Sequence, residues 1–383
     1  MRLKKLKHIY IHWPFCKNKC LYCDFISFKN HEEFVKDYHD ALCKQIKLFA
    51  ENNKDKWKFE IETIFFGGGT PSLYPLDLLK DLFSVLNSNF NLEDVKEVTI
   101  EVNPVSVIKE HLKTWKNLGI NRLSIGVQIL DEIILQKLNR IQPDQDVFNL
   151  VKIVPDYFEN ISVDLILGLP GTTLSKWSNT LKKIVLWPIK HISVYFLTTY
   201  DKTPLFYKVK NKDITLFDEN DLISFYELTV DFLKDNGFEQ YEISNFAKPG
   251  FESIHNKAYW DRKPYQGFGL SASSFDGKFR FVNEKNLLRF IKCCNQKYEK
   301  LYCYQEKLSK DEEFLERLML GLRQKKGIDL HRMLYFLKGE KKNKFLNVLI
   351  DLEKRSLIHN RGGKIYLTLK GIMLENEVIL KLI

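Results

Sequence analysis

Residues 10–25 read Y-I-H-W-P-F-C-K-N-K-C-L-Y-C-D-F, with Cys16, Cys20 and Cys23 in a CxxxCxxC spacing. Three thiolates within eight residues can turn inward onto one soft, thiophilic metal centre. A structural zinc ion takes four protein ligands, and no fourth cysteine follows nearby. A four-iron cubane held by three thiolates keeps one iron open to an exogenous ligand. Three reduced cysteines in a loop, or a zinc site completed by His8 or His12, are the other readings of the same residues.

Outward from this stretch, β-rich runs alternate with longer amphipathic ones, the pattern of βα units around a parallel sheet. The expected strands are His8–His12, Glu62–Phe66, Glu97–Val102, Arg122–Val127, Ser162–Leu167 and His191–Phe196. Helices are expected over His31–Glu51, Pro75–Ser88, Val105–Leu118, Asp131–Leu138 and Leu174–Val185, the second with Leu78, Leu79, Leu82 and Leu86 on one face. Six such units give an α/β fold of the open, partial (β/α)6 TIM-like kind, with the sixth strand ending the sheet.

Sites on such sheets lie at the C-terminal strand ends. The first strand there runs into the cysteine loop. The second runs into Gly67-Gly68-Gly69-Thr70-Pro71, where glycines let backbone N–H groups approach a ligand closely. The third ends at Glu101 and the fourth at Gln128, with Arg140 twelve residues on. The fifth carries Asp164 inside an apolar run, where a carboxylate is costly to bury without a partner. Taken singly, each of these is equally a turn glycine or a solvent-facing polar residue.

The chain has 383 residues, 44% hydrophobic and 13% aromatic, enough for a real core and more than one average domain. Its net charge of +10 is spread over lysine-rich faces without a long basic block, which favours a solvated surface over nucleic-acid binding. Of seven cysteines, Cys43, Cys293, Cys294 and Cys303 have no disulfide-framework spacing. No run approaches the roughly 18 apolar residues of a membrane span, and the basic N-terminus lacks an apolar signal core. The expectation is a cytoplasmic protein in a reducing compartment, with at most peripheral membrane contact.

The cysteine motif resembles that of the radical S-adenosylmethionine (SAM) proteins. Y-I-H-W-P-F-C, F-F-G-G-G-T-P-S-L, R-L-S-I-G-V-Q, V-D-L-I-L-G-L-P-G, H-I-S-V-Y, Y-E-I-S-N-F-A-K-P-G, H-N-K-A-Y-W and Y-Q-G-F-G follow in the order seen in the HemN/HemW family, from about Tyr10 to Phe275. The resemblance implies a radical SAM barrel with a [4Fe-4S] cluster on Cys16, Cys20 and Cys23, whose open iron takes the methionine end of SAM. It implies SAM contacts from Tyr10, Tyr22, Gly68, Gly69, Thr70, Glu101, Gln128, Arg140 and Asp164, with Gln128 on the ribose and Arg140 on the carboxylate.

Within the family, the oxygen-independent coproporphyrinogen III oxidases carry CxxxCxxCxC and an extension ahead of it. Here Phe25 stands at the last cysteine position and the first strand begins near residue 8. Both departures resemble the HemW branch, regarded as heme chaperones. The branch implies heme as cargo held near His255, Asn256, Tyr259 and Trp260 of the HNxxYW motif, and acceptor hemoproteins such as respiratory-chain components. It also implies an electron donor and a homodimer as partners. The alternative is the oxidase itself, decarboxylating propionates through a 5′-deoxyadenosyl radical.

The expected domains are a core barrel over 1–235, an extension with HNxxYW over 236–300, and a small helical/winged C-terminal domain over 301–383. In the last, Phe314, Leu318 and Leu322 form one stripe, and L-I-H-N-R-G-G-K-I-Y-L-T reads as two strands around Gly362-Gly363. No recognition-helix cluster stands out there, so a lid or docking surface is expected.

Overall fold

The computed structural model describes residues 3–296 and 301–383. Six parallel strands form the body of one sheet: β1 (Lys4–Trp13), β2 (Trp57–Gly68), β3 (Glu97–Val102), β4 (Arg122–Gln128), β5 (Asn160–Leu167) and β6 (His191–Phe196). Between them run α1 (Val35–Asn53), α2 (Leu76–Asn89), α3 (Lys109–Asn117), α4 (Glu132–Lys137), α5 (Asp144–Ile153) and α6 (Leu174–Ile184). After β6 come α7 (Pro204–Lys210) and α8 (Glu219–Asp235).

The sheet does not stop at the sixth strand. β8 (Asn245–Ala247) pairs antiparallel with β6 and carries β7 (Glu239–Glu242) outside it. At the opposite edge β9 (Gln266–Phe268) pairs parallel with β1. The order β7-β8-β6-β5-β4-β3-β2-β1-β9 is a curved, unclosed barrel. Three- and four-residue strands carry no periodic signal of their own, so only long-range pairing defines them.

Alternation along the strands separates two interiors. On β4, Leu123, Ile125 and Val127 are fully buried under the helices, while Arg122, Ser124, Gly126 and Gln128 face the hollow of the barrel. On α2 the buried face is Leu79, Leu82, Phe83, Val85 and Leu86; Leu78 lies at its half-buried margin.

Beyond β8, α9 (Ile254–Trp260) is capped by Ser253, whose Oγ accepts from Asn256 N at 3.2 Å. The buried carboxylate of Glu97 accepts from Ser253 Oγ, Ile254 N and His255 N at 3.2, 2.9 and 3.0 Å. A carboxylate so placed answers the unpaired N–H groups and partial positive charge of the helix start.

The C-terminal part has its own core, in which Phe314, Leu318 and Leu322 meet Met333, Phe345, Leu349, Ile358, Ile365 and Val378. A three-stranded antiparallel sheet includes Ile358–Arg361 and Lys364–Leu367, hinged at Gly362 and Gly363 with φ of 58° and 73°.

Candidate functional site

The loop after β1 is clamped from several sides. Cys16 N donates to Phe28 O at 2.9 Å and Phe28 N to Pro14 O at 2.7 Å. Leu21 N donates to Leu138 O at 3.0 Å, and Asn139 Nδ2 to Lys19 O at 2.8 Å. Cys16, Cys20 and Cys23 are free thiols, each half-buried. Burial pushes the Cys16 thiol up, and Cys23 up to about 11, so a thiolate here needs a cation to stabilise it.

Among the described residues the three sulfurs do not all fall within 4.8 Å of one another. A single zinc ion with bonds of about 2.3 Å draws its sulfurs closer than that. The histidines that would complete a zinc site are committed elsewhere. His12 contacts Tyr10 Oη through Nδ1 at 3.0 Å and Ile26 O through Nε2 at 2.9 Å; His8 Nδ1 contacts Thr63 Oγ1 at 3.0 Å. Desolvation lowers both imidazoles to about 4, so they are neutral. Spread thiols on a clamped loop fit a polynuclear cluster better than one ion.

The glycine turn sits directly against this loop. A Cβ on Gly69 would lie 2.8 Å from Phe15 O and 3.0 Å from Cys16 Sγ. Gly68 has φ +117° and a Cβ there would meet the His12 ring at 2.7 Å, so both close approach and conformation demand glycine. Thr70 Oγ1 donates to Cys16 Sγ at 3.3 Å.

Around the mouth, Gly68 N donates to Glu101 Oε2 at 3.1 Å. Burial, and then the nearby Asp164, push Glu101 up to about 8. Asp164 is also raised by burial, and its two oxygens accept from Ser124 Oγ at 3.1 and 2.8 Å. Gln128 ends β4 with φ +67°, a left-handed residue whose side chain lines the cavity with its Nε2 beside Gly126. Arg140 Nη2 donates to Gly126 O and Gln142 Oε1, both at 2.7 Å, and Nε donates to Gln142 at 3.0 Å. Its Nη1 points to Cys20 Sγ at 4.0 Å. Gln142 thus occupies one edge of the fork, and the two N–H groups of Nη1 are left toward the cysteine loop.

These groups line one cavity of about 1270 Å³, which also takes in Tyr22, Phe25 and Asn256. Tyr10 lies below its wall, 6.2 Å from Phe65 and against Gly67. His255, Tyr259 and Trp260 lie outside the lining. His255 is 1% exposed; Nδ1 contacts Thr63 Oγ1 at 2.7 Å and Nε2 contacts Tyr259 Oη at 2.8 Å. With both ring nitrogens engaged and burial lowering its basicity, His255 is a packed polar strut in this conformation.

The reading of the sequence did not single out Arg122, Ser124 or Ser193 as wall residues, nor Lys370, Met373, Glu375 and Asn376, which close the cavity from the C-terminal part. The period-two alternation of R-L-S-I-G-V-Q carries a signal for the β4 residues; nothing local marks the others.

An open parallel barrel with three thiols on the loop after its first strand, above a glycine turn, is the radical SAM arrangement. The family model described as Radical SAM superfamily matches residues 10–184. The heme chaperone HemW of Bacillus subtilis (strain 168) is 35% identical over 378 residues, 97% of this chain and 98% of its own length. That of Lactococcus lactis subsp. lactis (strain IL1403) is 31% identical over 380 residues, 99% and 98% of the two chains. The coproporphyrinogen III oxidase HemN of Escherichia coli has the same fold, with a TM-score of 0.84 at 22% identity over 99% of this chain and 90% of that one. The chain belongs to the HemW family of the radical SAM superfamily.

Proposed function

We propose that this chain binds heme and delivers it to acceptor hemoproteins, holding a [4Fe-4S] cluster on Cys16, Cys20 and Cys23 and SAM beneath the glycine turn. The observation that carries the reading is end-to-end similarity to curated HemW heme chaperones. Phe25 at the position of the fourth motif cysteine supports it over coproporphyrinogen oxidation, the alternative.

The cluster, when bound, supplies one electron and an iron that chelates the methionine end of SAM. The chain's part is positioning. Gly69 and Thr70 hold Cys16, Arg140 Nη1 faces Cys20, and Glu101 fixes the Gly68 amide while offering a carboxyl to the amino or ribose groups. Fixed dipoles and a dry wall of this kind orient a cofactor that carries the hard chemistry. An electron donor, respiratory acceptors, a homodimer and a cytoplasmic location belong to the same reading; among the described residues no helix is long and apolar enough to cross a membrane.

The test is anaerobic reconstitution followed by heme titration and transfer to an apo-hemoprotein. One heme per chain, moved to the acceptor, with no protoporphyrinogen formed from coproporphyrinogen, is the expected result. Turnover of coproporphyrinogen would establish the alternative. Full iron content in a Cys16, Cys20, Cys23→Ala triple variant would remove the cluster assignment.

A further inference from the structure

We propose that Arg122 is the anchor for a ligand carboxylate on the floor of the barrel cavity, and that the group it reads is a propionate of the tetrapyrrole cargo. The second half rests on the heme reading above; the first does not.

Arg122 opens β4 and is 1% exposed, yet it lines the cavity. Its Nε has no hydrogen-bond partner, and its guanidinium forms no hydrogen bond or ion pair with the described residues. Arginine stays charged in proteins, and an unpaired buried charge costs several kcal/mol by the usual order of magnitude. Such a group is retained where something else supplies the counter-charge.

The carboxylates nearby are engaged otherwise. Glu97 holds the start of α9 through three hydrogen bonds, Asp164 accepts twice from Ser124, and Glu101 accepts from Gly68 N. Burial raises both Asp164 and Glu101, and the nearby Arg122 charge opposes that rise without a hydrogen bond or ion pair to either. His191 and His255 lie close enough for Arg122 to lower their basicity further, so no second cation is built there. A planar guanidinium fork with free donors matches a carboxylate.

Position separates this carboxylate from the one on SAM. Arg122 starts the strand that Gln128 ends, and six residues of strand rise about 20 Å. A methionine group held by Arg140 beside Cys20 would lie toward the opposite end of that strand, with Asp164 between the two arginines. The cavity, at about 1270 Å³, exceeds the roughly 300–1,000 Å³ of a pocket for one drug-sized ligand. Phe65, Ile166, Tyr195 and Met373 give it flat and apolar wall above the floor. A second, flat, carboxylate-bearing molecule fits that description.

The experiment uses the full chain with its cluster reconstituted. Heme, heme dimethyl ester and SAM are titrated into wild type, Arg122→Met and Arg122→Lys, with thermal melting of the ligand-free chains alongside. Arg122→Met should weaken heme by about thirtyfold or more, the effect of truncating one partner of a buried charge pair. It should leave the ester and SAM unchanged, and the ligand-free variant should melt no lower than wild type, because an unpaired charge has gone. Arg122→Lys should bind heme between the two. Equal heme affinity in all three chains overturns the proposal, as does an equal loss for the ester, a loss confined to SAM, or a lowered melting point with unchanged heme binding. If Arg122→Met does not fold, the heme-against-ester comparison in Arg122→Lys makes the same decision. If wild type binds no heme, the heme reading fails; coproporphyrin binding that depends on Arg122 then upholds the anchor, and its absence ends both.

Discussion

The guanidinium of Arg323 lies 4.9 Å from the ring centre of Trp260, and the same side chain reaches Glu242 at 3.3 Å and Glu375 at 3.4 Å. One residue thus joins the last position of the HNxxYW motif, the edge strand β7 and the C-terminal part. Gln324 adds a bond from Nε2 to Trp260 O at 3.0 Å.

Arg323→Gln is expected to destabilise the chain strongly. Glu242 is wholly buried, with 0% side-chain exposure, and loses its counter-charge. Removing one partner of a buried pair costs about 3–5 kcal/mol. Urea unfolding measures it, and limited proteolysis should cut first at the freed C-terminal part. A midpoint within experimental error of wild type would contradict the role given to Arg323.

Gly69→Ala should abolish cluster retention while leaving most secondary structure in place. The added methyl meets Phe15 O and Cys16 Sγ inside contact distance. Relieving that clash moves the cysteine loop, at a cost of about 1–3 kcal/mol. Iron and sulfide content after anaerobic reconstitution, read beside circular dichroism, checks both halves.

His255→Ala should lower stability by about 2–4 kcal/mol, since it opens a cavity and strands the Tyr259 hydroxyl, while Thr63 keeps its contact with His8. His255→Gln, which keeps a donor and an acceptor, should recover part of that. Denaturant midpoints for the pair establish how far any heme deficit of the alanine variant is structural.

Glu101 makes the ligand-free chain less stable as pH rises. Its folded pKa is about 8 against 4.5 for the free group. Between those values the folded chain keeps a proton that the unfolded chain releases, so the contribution is whole below about 4.5 and lost as pH climbs through about 8. Glu101→Gln cannot titrate. The difference in unfolding free energy between wild type and variant should therefore change steadily across that window, and a flat difference would show Glu101 ionised in the fold.

The strands Glu97–Val102 and His191–Phe196 have the bounds expected, because Val98, Ile100 and Val102 in one and Ile192 and Val194 in the other alternate with polar residues at the period of a strand. β1 and β2 extend further back than expected, to Lys4 and Trp57. β1 begins with lysines and β2 carries a lysine and two glutamates near its start, and Lys5–Glu60 and Lys7–Glu62 pairs line the exposed side of the ladder, a pattern that reads as surface until the two strands are set side by side. The cysteines and glycine turn were legible because their chemistry is local. The floor at Arg122 and the wall from Lys370 to Asn376 were not, since each acquires meaning only from segments far away in the chain.

That wall has a consequence for the order of assembly. Its residues follow the last strand of the main sheet by about a hundred positions. At about 5–20 residues per second of synthesis, the hollow stands unroofed on the ribosome for roughly 5–20 s. A metal centre assembled in that interval would meet the cysteine loop before the C-terminal residues come to line the cavity above it.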